Sequence, residues 1–199
     1  MAKRITFQFE DDLDYQMQAI HSTVELFSGL SRHVDGIYRP NRIRKVGEGD
    51  PVRNNDIVVG SRLLENLRKV QLSNDLFADN VLADGNNFTI EMETGTGKTY
   101  VYLRTILELY QEYGFRKFMI VVPSIAIRKG VEKSMEQLTD HFKRLYNIDI
   151  GKHSFIYDSN NPKQISSKLV ESNDLSICVL NIQAFNKDTN KIRKEDEYG

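Results

Sequence analysis

The chain has 199 residues, of which 40% are hydrophobic and 28% are charged, and its net charge is −1. This length allows one domain with a sizeable core, or a domain plus an extension, and the near-neutral total means that any basic surface for nucleic acid must be local. The longest clean apolar run, residues 118–122, is far too short to cross a membrane, and the amino terminus lacks the apolar stretch of a secretory signal. We therefore expect a cytoplasmic protein with no membrane partner, in which Cys178 is a buried core thiol.

The first predicted element is an amphipathic helix within residues 11–30. Its apolar side chains recur at spacings of four, three, four and three, which places them on one helical face: Leu13, Met17, Ile20, Val24 and Phe27. Asp11 or Asp12 can cap the start of this helix, and Gly29 can end it.

Residues 32–60 contain two prolines and no helical period, which predicts a loop or a short hairpin. A basic run within this region has no acidic residue among its charged side chains: Arg39, Arg42, Arg44 and Lys45. They either contact DNA phosphates, in which case binding weakens steeply with salt, or belong to a solvated loop. A short helix over residues 61–73 and a turn-rich connection over residues 74–87 are predicted next.

From residue 88 onward, strands and helices are predicted to alternate. The strands cover residues 88–92, 117–122, 154–157 and 176–182, and the helices cover 98–113, 125–146 and 162–172. Gly114 suits the end of the first of these helices. Alternation of this kind, with continuous apolar strands, predicts an α/β fold built on a parallel sheet that is covered on both faces.

The sequence EMETGTGKTY, residues 91–100, lies between the first of these strands and the helix that follows it. Two glycines would let backbone N–H groups curl around phosphates, to which the dipole of the next helix adds. Lys98 would then reach the β- and γ-phosphates of ATP, and the Thr99 hydroxyl would reach a Mg²⁺ ion; we interpret these two as the catalytic residues. The alternative is a tight turn with a surface lysine. The predicted nucleotide site of this P-loop NTPase comprises Thr94, Gly95, Thr96, Gly97, Lys98 and Thr99.

One position departs from the general P-loop pattern, since Met92 stands six positions before the lysine, where glycine is usual. With Gly95 inside the loop, the pattern resembles that of superfamily-two helicases and translocases. By that resemblance Gln16 corresponds to the glutamine of the Q-motif, whose carboxamide pairs with the adenine edge. Gln18 is the competing candidate, and Phe9 could pack on the adenine ring.

The sequence VVPSIAIRKGV, residues 121–131, resembles motif Ia of the same motors, which contacts the nucleic-acid backbone at the end of the second strand. The candidate phosphate contacts are Pro123, through the N–H groups that follow it, together with Ser124 and Arg128. Asn181 and Gln183 lie after the last predicted strand, where such motors place another strand-tracking motif. The alternative is an ordinary strand-to-helix turn with a solvated arginine.

Residues 87–134 closely resemble the Res subunit of type III restriction–modification enzymes, and the later runs FIYDS and LNIQAFNKD fit the same family. The resemblance implies an ATP-dependent DNA translocase and endonuclease with two RecA-like motor domains and a nuclease domain far downstream. It implies ATP and Mg²⁺ as cofactors, and as partners double-stranded DNA and a methyltransferase subunit, Mod, that reads the DNA sequence. On this basis residues 1–31 form a Q-motif segment, 32–87 a loop-rich basic insertion with a short helix, and 88–199 a partial RecA-like ATP-binding domain.

Phosphoryl transfer also needs a carboxylate pair, the Walker B site, at the end of an apolar strand. Asp158 is followed by Ser159 and Asn160 rather than by glutamate, and the acidic residues at 195–197 follow basic residues rather than an apolar strand. Because an arginine finger and a nuclease motif are also missing, we expect the amino-terminal fragment of a longer polypeptide, or the product of a truncated gene, cut before the Walker B strand. Such a chain should hydrolyse ATP negligibly.

Two other functions remain open from the sequence. The chain could belong to another superfamily-two motor, such as a type I restriction subunit or a repair helicase, or it could be a non-catalytic remnant that binds nucleotide, DNA or a partner. The four histidines show no metal-ligand spacing and no cysteine lies near them in a cluster, so we predict no zinc site.

Overall fold

The computed structural model describes residues 10–34, 37–40, 54, 57–58, 61–79, 81–82, 86–158, 161 and 163–184. The chain divides into two compact units, Met1–Phe115 and Arg116–Gly199. The three-part division suggested by the sequence stays a prediction. No helix in the described part of the chain has both the length and the apolar character that a membrane crossing needs.

Three helices dominate the first unit: α1 (Asp14–Glu25), α2 (Ser61–Ser73) and α3 (Lys98–Tyr113). All three were predicted, and α2 and α3 have the predicted bounds. Helix α1 packs against α3 and, more lightly, against α2. Gly114 ends α3 in the left-handed conformation, with φ 74°, as predicted. The apolar cluster beside α1 and α2 buries Leu26, Leu30 and Leu63, and Phe27, Leu67, Val70, Leu82, Phe88 and Phe115 pack on it.

A small antiparallel sheet also belongs to the first unit. Strand β1 (Ser31–Val34) pairs with β2 (Ile37–Pro40) on one side and with β3 (Ile57–Val58) on the other. The β1–β2 pair is the hairpin that the sequence left as one alternative to a loop. Of the basic run over residues 39–45, Arg39 lies on β2, while Arg42, Arg44 and Lys45 lie outside the described residues.

The second unit is built on a parallel sheet with strand order β4–β6–β5, formed by β4 (Lys117–Val122), β5 (Ser154–Ile156) and β6 (Ser176–Asn181). The central strand β6 is buried from Ser176 to Leu180, as its continuous apolar run predicted. Helix α4 (Ile125–Tyr146) packs on β6 and β4 through a buried face that includes Met135 and Phe142.

The single thiol lies in the middle of this sheet. Cys178 is fully buried, and burial raises the pKa of its thiol to about 11, an effect that the positive charge of Lys168 partly offsets. The prediction of a buried core cysteine is confirmed.

The predicted strand over residues 88–92 is wrong for the chain as described, because residues 87–93 pair with no other strand. A strand exists only where a neighbour supplies its ladder of hydrogen bonds. The described strands of the first unit pair only among themselves, while Phe88 packs on the apolar cluster and Ile90 stays 47% exposed. The sequence pattern indicated the apolar side chains of this segment, but it carries no information on whether a neighbouring strand pairs with the segment.

Smaller corrections concern the start of α1 and the sheet edge. Leu13, and not Asp11 or Asp12, is the N-cap of α1, and its apolar side chain makes no capping bond. The backbone carbonyl of Asp11 accepts a hydrogen bond from the Arg104 guanidinium of α3. On β4, Met119 and Val121 are 51% and 45% exposed, so this strand is not covered on both faces. It is one of the two edge strands of the described parallel sheet.

The helix predicted over residues 162–172 is present in altered form. One α-helical turn, Lys163–Ile165, continues as a wider π-helix, Ser166–Glu171, in which Leu169 is buried with Phe155 and Cys178. A single additional turn, α5 (Ile150–His153), precedes β5 and is too short to give a periodic signal in the sequence.

Candidate functional site

The glycine-rich loop leads directly into α3. Gly95 and Gly97 have φ of 86° and 85°, a conformation that side chains rarely adopt, and Gly97 is the N-cap of the helix. The first intrahelical bond of α3 runs from the Val101 N–H to the Gly97 carbonyl, at 3.0 Å. The N–H groups of residues 98–100, which precede this bond, therefore have no helical acceptor and are available to an anion.

The carbonyl oxygens of the loop are occupied by its own donors. Lys98 Nζ donates to the carbonyls of Met92 and Glu93, each at 2.7 Å, and the Thr96 hydroxyl donates to the Glu93 carbonyl at 2.7 Å. These bonds hold the ammonium group at the loop. They also explain why Met92 can replace the usual glycine: the position contributes its carbonyl, which any residue supplies.

Gln16 lies against the same loop from α1. Its side chain is 7% exposed, and its Nε2 donates to the Thr96 carbonyl at 2.9 Å. A Cβ atom at position 97 would lie 2.5 Å from Gln16 Nε2, so the close approach of this glutamine is a second reason for glycine at that position. Gln18 instead donates to Asn74 Oδ1, at 2.8 Å, and does not contact the loop.

The structure therefore distinguishes the two glutamine candidates, although pairing of Gln16 with adenine stays a proposal. Phe9, suggested as a stacking partner, lies outside the described residues.

Two tyrosines and an arginine of α3 were not singled out by sequence reasoning. Arg104 donates to the Asp11 carbonyl and, at 3.0 Å, to the Tyr100 hydroxyl, which ties the start of α1 to α3. Tyr102 lies one turn after Thr99; burial raises the pKa of its phenol, and the Thr99 hydroxyl lowers it in part. The Tyr100–Arg104 and Thr99–Tyr102 contacts lie within α3. The bond from Arg104 to Asp11 joins segments 93 residues apart, and sequence spacing could not predict it.

A second group of predicted residues meets at the carboxyl edge of the parallel sheet. Val122 and Asn181 are register partners at the ends of β4 and β6, and Gln183 Nε2 donates to the Pro123 carbonyl at 3.1 Å. Ser124 is the N-cap of α4 and accepts from the Ile127 N–H at 3.3 Å. We call this group, formed by Pro123, Ser124, Arg128, Asn181 and Gln183, the strand-end cluster.

Two polar atoms of the strand-end cluster lack partners. Arg128 Nε and Asn181 Oδ1 are buried, and neither makes a hydrogen bond within the part of the chain that the structure describes. A buried donor and a buried acceptor of this kind are costly unless a ligand or water completes them. The sequence suggested two separate strand-tracking motifs, and the structure brings Pro123, Asn181 and Gln183 of these motifs into one place.

Carboxylates are not gathered at either candidate position. The strands β4 and β6 are followed directly by Pro123 and Ile182 rather than by Asp or Glu, and Asp158, two residues after β5, is exposed. No group of three or more His, Cys, Asp or Glu side chains among residues 10–184, as far as these are described, could hold a metal ion. A magnesium ion at a phosphate-binding loop needs no such group, because phosphate oxygens, one hydroxyl and water supply its ligands.

A lysine at the first position of a helix, reached through left-handed glycines and bonded to the carbonyls of its own loop, is the arrangement of a phosphate-binding loop. Together with the parallel sheet of the second unit it defines an α/β P-loop protein. The α/β class predicted from the sequence is thus confirmed.

Comparison with known proteins narrows this class. The family model "Type III restriction enzyme, res subunit" matches residues 11–199. The chain belongs to this family, whose matched region is a P-loop helicase domain. The resemblance predicted from residues 87–134 is therefore confirmed. The family match favours a Res subunit over the two alternatives, a type I restriction subunit and a repair helicase.

Curated relatives agree with the family. The chain is 27% identical over 170 residues to the type III restriction-modification enzyme EcoPI Res subunit of Escherichia phage P1, a match that covers 83% of this chain and 17% of the relative. It is 32% identical over 111 residues to the EcoP15I Res subunit of Escherichia coli, covering 54% of this chain and 11% of the relative. With the StyLTI Res subunit of Salmonella typhimurium it shares 46% identity over 65 residues, 32% of this chain and 7% of the relative. The chain thus spans less than a fifth of the length of these relatives.

Proposed function

We propose that this chain is the ATP-binding part of the first motor domain of an ATP-driven DNA translocase and endonuclease of a type III restriction system. The observation that carries the proposal is the position of Lys98, whose ammonium group is fixed at the phosphate-binding loop by the carbonyls of Met92 and Glu93. Membership in the Res family supports double-stranded DNA and a Mod methyltransferase subunit as the partners of the complete restriction enzyme.

The residues present fit a magnesium–triphosphate group. Free N–H groups at the start of α3 and the Lys98 ammonium would neutralise phosphate charge, and the Thr99 hydroxyl would act as a magnesium ligand. The Gln16 carboxamide, held at the loop through Thr96, would present its remaining polar atom to an adenine edge. Each of these roles would be filled by a backbone or side-chain group of the first unit.

Thermal unfolding in the presence of ATP and Mg²⁺ tests this site. Ligand at a hundredfold above its Kd should raise the free energy of unfolding by about 2.7 kcal/mol. Lys98→Ala should abolish most of this gain, whereas Lys69→Ala, which removes an exposed lysine of α2, should leave it unchanged. Equal stabilisation of the wild type and Lys98→Ala would refute the proposed site.

The Thr99 role has its own readout. Thr99→Val removes the hydroxyl but keeps the shape of the side chain, so it should reduce the enhancement of ATP binding by Mg²⁺ while leaving Mg²⁺-free nucleotide binding nearly unchanged. A Mg²⁺ enhancement that is identical in the variant and the wild type would exclude this hydroxyl as a ligand.

The strand-end cluster supports contact with the DNA backbone, because its buried Arg128 Nε and the N-terminus of α4 suit a phosphate oxygen. Arg128→Ala should weaken binding to duplex DNA for all sequences alike and reduce the slope of log K against log salt by about one. Arg144→Ala, which removes an exposed arginine near the other end of α4, is the matched control. If both variants weaken binding equally, the cluster has no special role.

A second candidate function is a non-catalytic module that binds nucleotide without turning it over. It is favoured by the ends of β4 and β6, where Pro123 and Ile182 follow the strands and neither is a carboxylate. We expect steady-state ATP turnover by this chain to be no faster than that of Lys98→Ala. Turnover clearly above that control would contradict the expectation and would show that the catalytic carboxylates are present.

A further inference from the structure

The connection after α2 is a rigid structure, although its sequence reads as a turn. We call residues 74–79 the Phe77 loop. Asp75 has φ 58°, its N–H donates to the Leu72 carbonyl at 3.2 Å, and the Leu76 N–H donates to the Gln71 carbonyl at 2.9 Å. These two bonds are the pair that defines a Schellman motif, so the helix end itself fixes the direction in which the Phe77 loop leaves α2.

Side chains fasten the Phe77 loop at both ends. At its far end Gln71 Nε2 donates to Asp79 Oδ2 at 2.6 Å, the Asp79 N–H donates to Gln71 Oε1 at 2.9 Å, and Arg68 Nε donates to the Asp79 carbonyl at 2.8 Å. At its near end Asn74 accepts from Gln18 of α1 at 2.8 Å. A loop held by this many bonds loses little conformational entropy when a partner binds to it.

This rigid loop presents apolar side chains to solvent. Phe77 is 98% exposed, and Leu72, Leu76 and Val81 around it in the sequence are 62%, 58% and 72% exposed. A fully exposed phenylalanine on a fixed loop has the character of a binding anchor, since aromatic side chains dominate interface energetics. Several exposed apolar side chains that follow one another in this way are unusual unless another molecule covers them.

Acidic residues predominate in the segments beside the Phe77 loop, although basic side chains of α2 lie next to it. Residues 10–30, which contain α1, and residues 70–79 include no lysine or arginine, although the whole chain is nearly neutral. The nearest basic side chains are those of α2, of which Arg68 is bonded to the Asp79 carbonyl and Lys69 is exposed. The acidic residues of these two segments are Glu10, Asp11, Asp12, Asp14, Glu25, Asp75 and Asp79.

We infer that the Phe77 loop is a docking element for a protein partner whose apolar pocket is rimmed by lysine and arginine side chains. Phe77 enters the pocket, and Asp75 faces the basic rim. The acidic residues disfavour DNA, because phosphate would be repelled, and they disfavour a second copy of this chain, because like charges would face each other. The inference is independent of nucleotide binding, since no residue of the phosphate-binding loop takes part in it.

Two synthetic peptides of about 20 residues serve as probes of this chemistry. Both form amphipathic helices with a leucine face; the other positions are lysine in one and glutamate in the other. Fluorescence anisotropy with the wild-type chain should show binding of the lysine peptide at least tenfold tighter than binding of the glutamate peptide. This preference should shrink as salt is raised, because the attraction of the rim is screened.

Single substitutions test which residues of the chain bind the lysine peptide. Phe77→Ala should weaken the lysine peptide at least tenfold, and Asp75→Asn, which suits the left-handed backbone, should weaken it without changing the fold. Leu145→Ala removes an apolar side chain that is 39% exposed in the second unit and should have no effect. Because Phe77 makes no buried contact, Phe77→Ala should unfold at the wild-type temperature and keep wild-type ATP binding.

Several outcomes would overturn the inference. These are equal affinity for the two peptides, absence of binding by either, a lysine-peptide affinity unaffected by Phe77→Ala, or duplex DNA binding that Phe77→Ala weakens. Analytical ultracentrifugation should show no dimer that depends on Phe77, and such a dimer would identify a second copy as the occupant instead. ATP binding is measured on the same samples, so that failure of the nucleotide site would be seen separately.

Discussion

Gly97 combines two constraints that can be separated by mutation. Its backbone has φ 85°, and a Cβ atom at this position would lie 2.5 Å from Gln16 Nε2. Gly95 offers a natural control, because its φ of 86° is nearly the same and a Cβ atom there would meet nothing within 4 Å. The two glycines therefore share the conformational cost of alanine, and only Gly97 adds the clash with Gln16.

The magnitudes follow from these two terms. An alanine in the left-handed region costs about 1–2 kcal/mol, which is the full expectation for Gly95→Ala. Gly97→Ala also displaces the Gln16 carboxamide from the Thr96 carbonyl, which removes a hydrogen bond and leaves a buried amide without its partner. This adds about 1–2 kcal/mol, so that Gly97→Ala should destabilise the chain by roughly 2–4 kcal/mol.

A double-mutant cycle with Gln16→Ala isolates the second term. Urea unfolding, followed by circular dichroism at 222 nm, gives the free energy of unfolding of each single and double variant. In the Gln16→Ala background Gly97→Ala should lose its extra cost, which gives a coupling energy of about 1–2 kcal/mol. The coupling between Gly95→Ala and Gln16→Ala should be close to zero.

The reasoning fails if both glycines couple to Gln16 equally, or if neither does. Equal coupling would mean that Gln16 responds to the loop as a whole rather than to the Cβ at position 97. No coupling would mean that the glutamine moves aside at no cost, and its contact with the loop would then carry no energy.

Three further predictions concern other parts of the chain. The Asn66 side chain, in a residue that is 5% exposed, donates to the carbonyls of Leu26 and Ser28 at 3.0 and 2.7 Å. Asn66→Ala should therefore lower the free energy of unfolding in urea by about 2–3 kcal/mol. A loss below about 0.5 kcal/mol would contradict the contribution of these buried bonds. Ser124→Ala should cost about 1 kcal/mol through loss of the α4 cap, and Ser124→Asp should retain most of the stability. Burial raises the pKa of Cys178 to about 11, so its thiolate is scarce below that pH. Native protein should therefore react with Ellman's reagent far more slowly than urea-unfolded protein, and its rate should rise as the pH approaches 11. Equal rates for native and unfolded protein would refute this prediction.

Local patterns in the sequence predicted much of the architecture. The helices α2, α3 and α4 have the bounds that their apolar spacing and end signals indicated, because a helix depends on contacts between residues three and four apart. The glycine-rich loop was predictable for the same reason, since glycine, lysine and helix start are adjacent in the chain. The π-helical winding of Ser166–Glu171 left no comparable signal.

Strands and their pairing were less predictable. The apolar run of β6 indicated a buried strand correctly, while residues 88–92, in which apolar and polar side chains alternate, form no strand in the described chain. A strand is completed only by a neighbour that is distant in sequence, and periodicity carries no information about that neighbour.

The sequence by itself determined that the chain has a phosphate-binding loop, which helices flank it and which family it belongs to. Only the tertiary structure decided that Gln16 rather than Gln18 contacts the loop, across 80 residues, and that Gln183 reaches the Pro123 carbonyl across 60. It also decided that Met92 serves through its carbonyl, and that Phe77 is left in solvent on a fixed loop. The physical reason is the same throughout: the chemistry of a motif is local and written in adjacent residues, whereas the partner of a buried or exposed side chain is set by packing between distant segments.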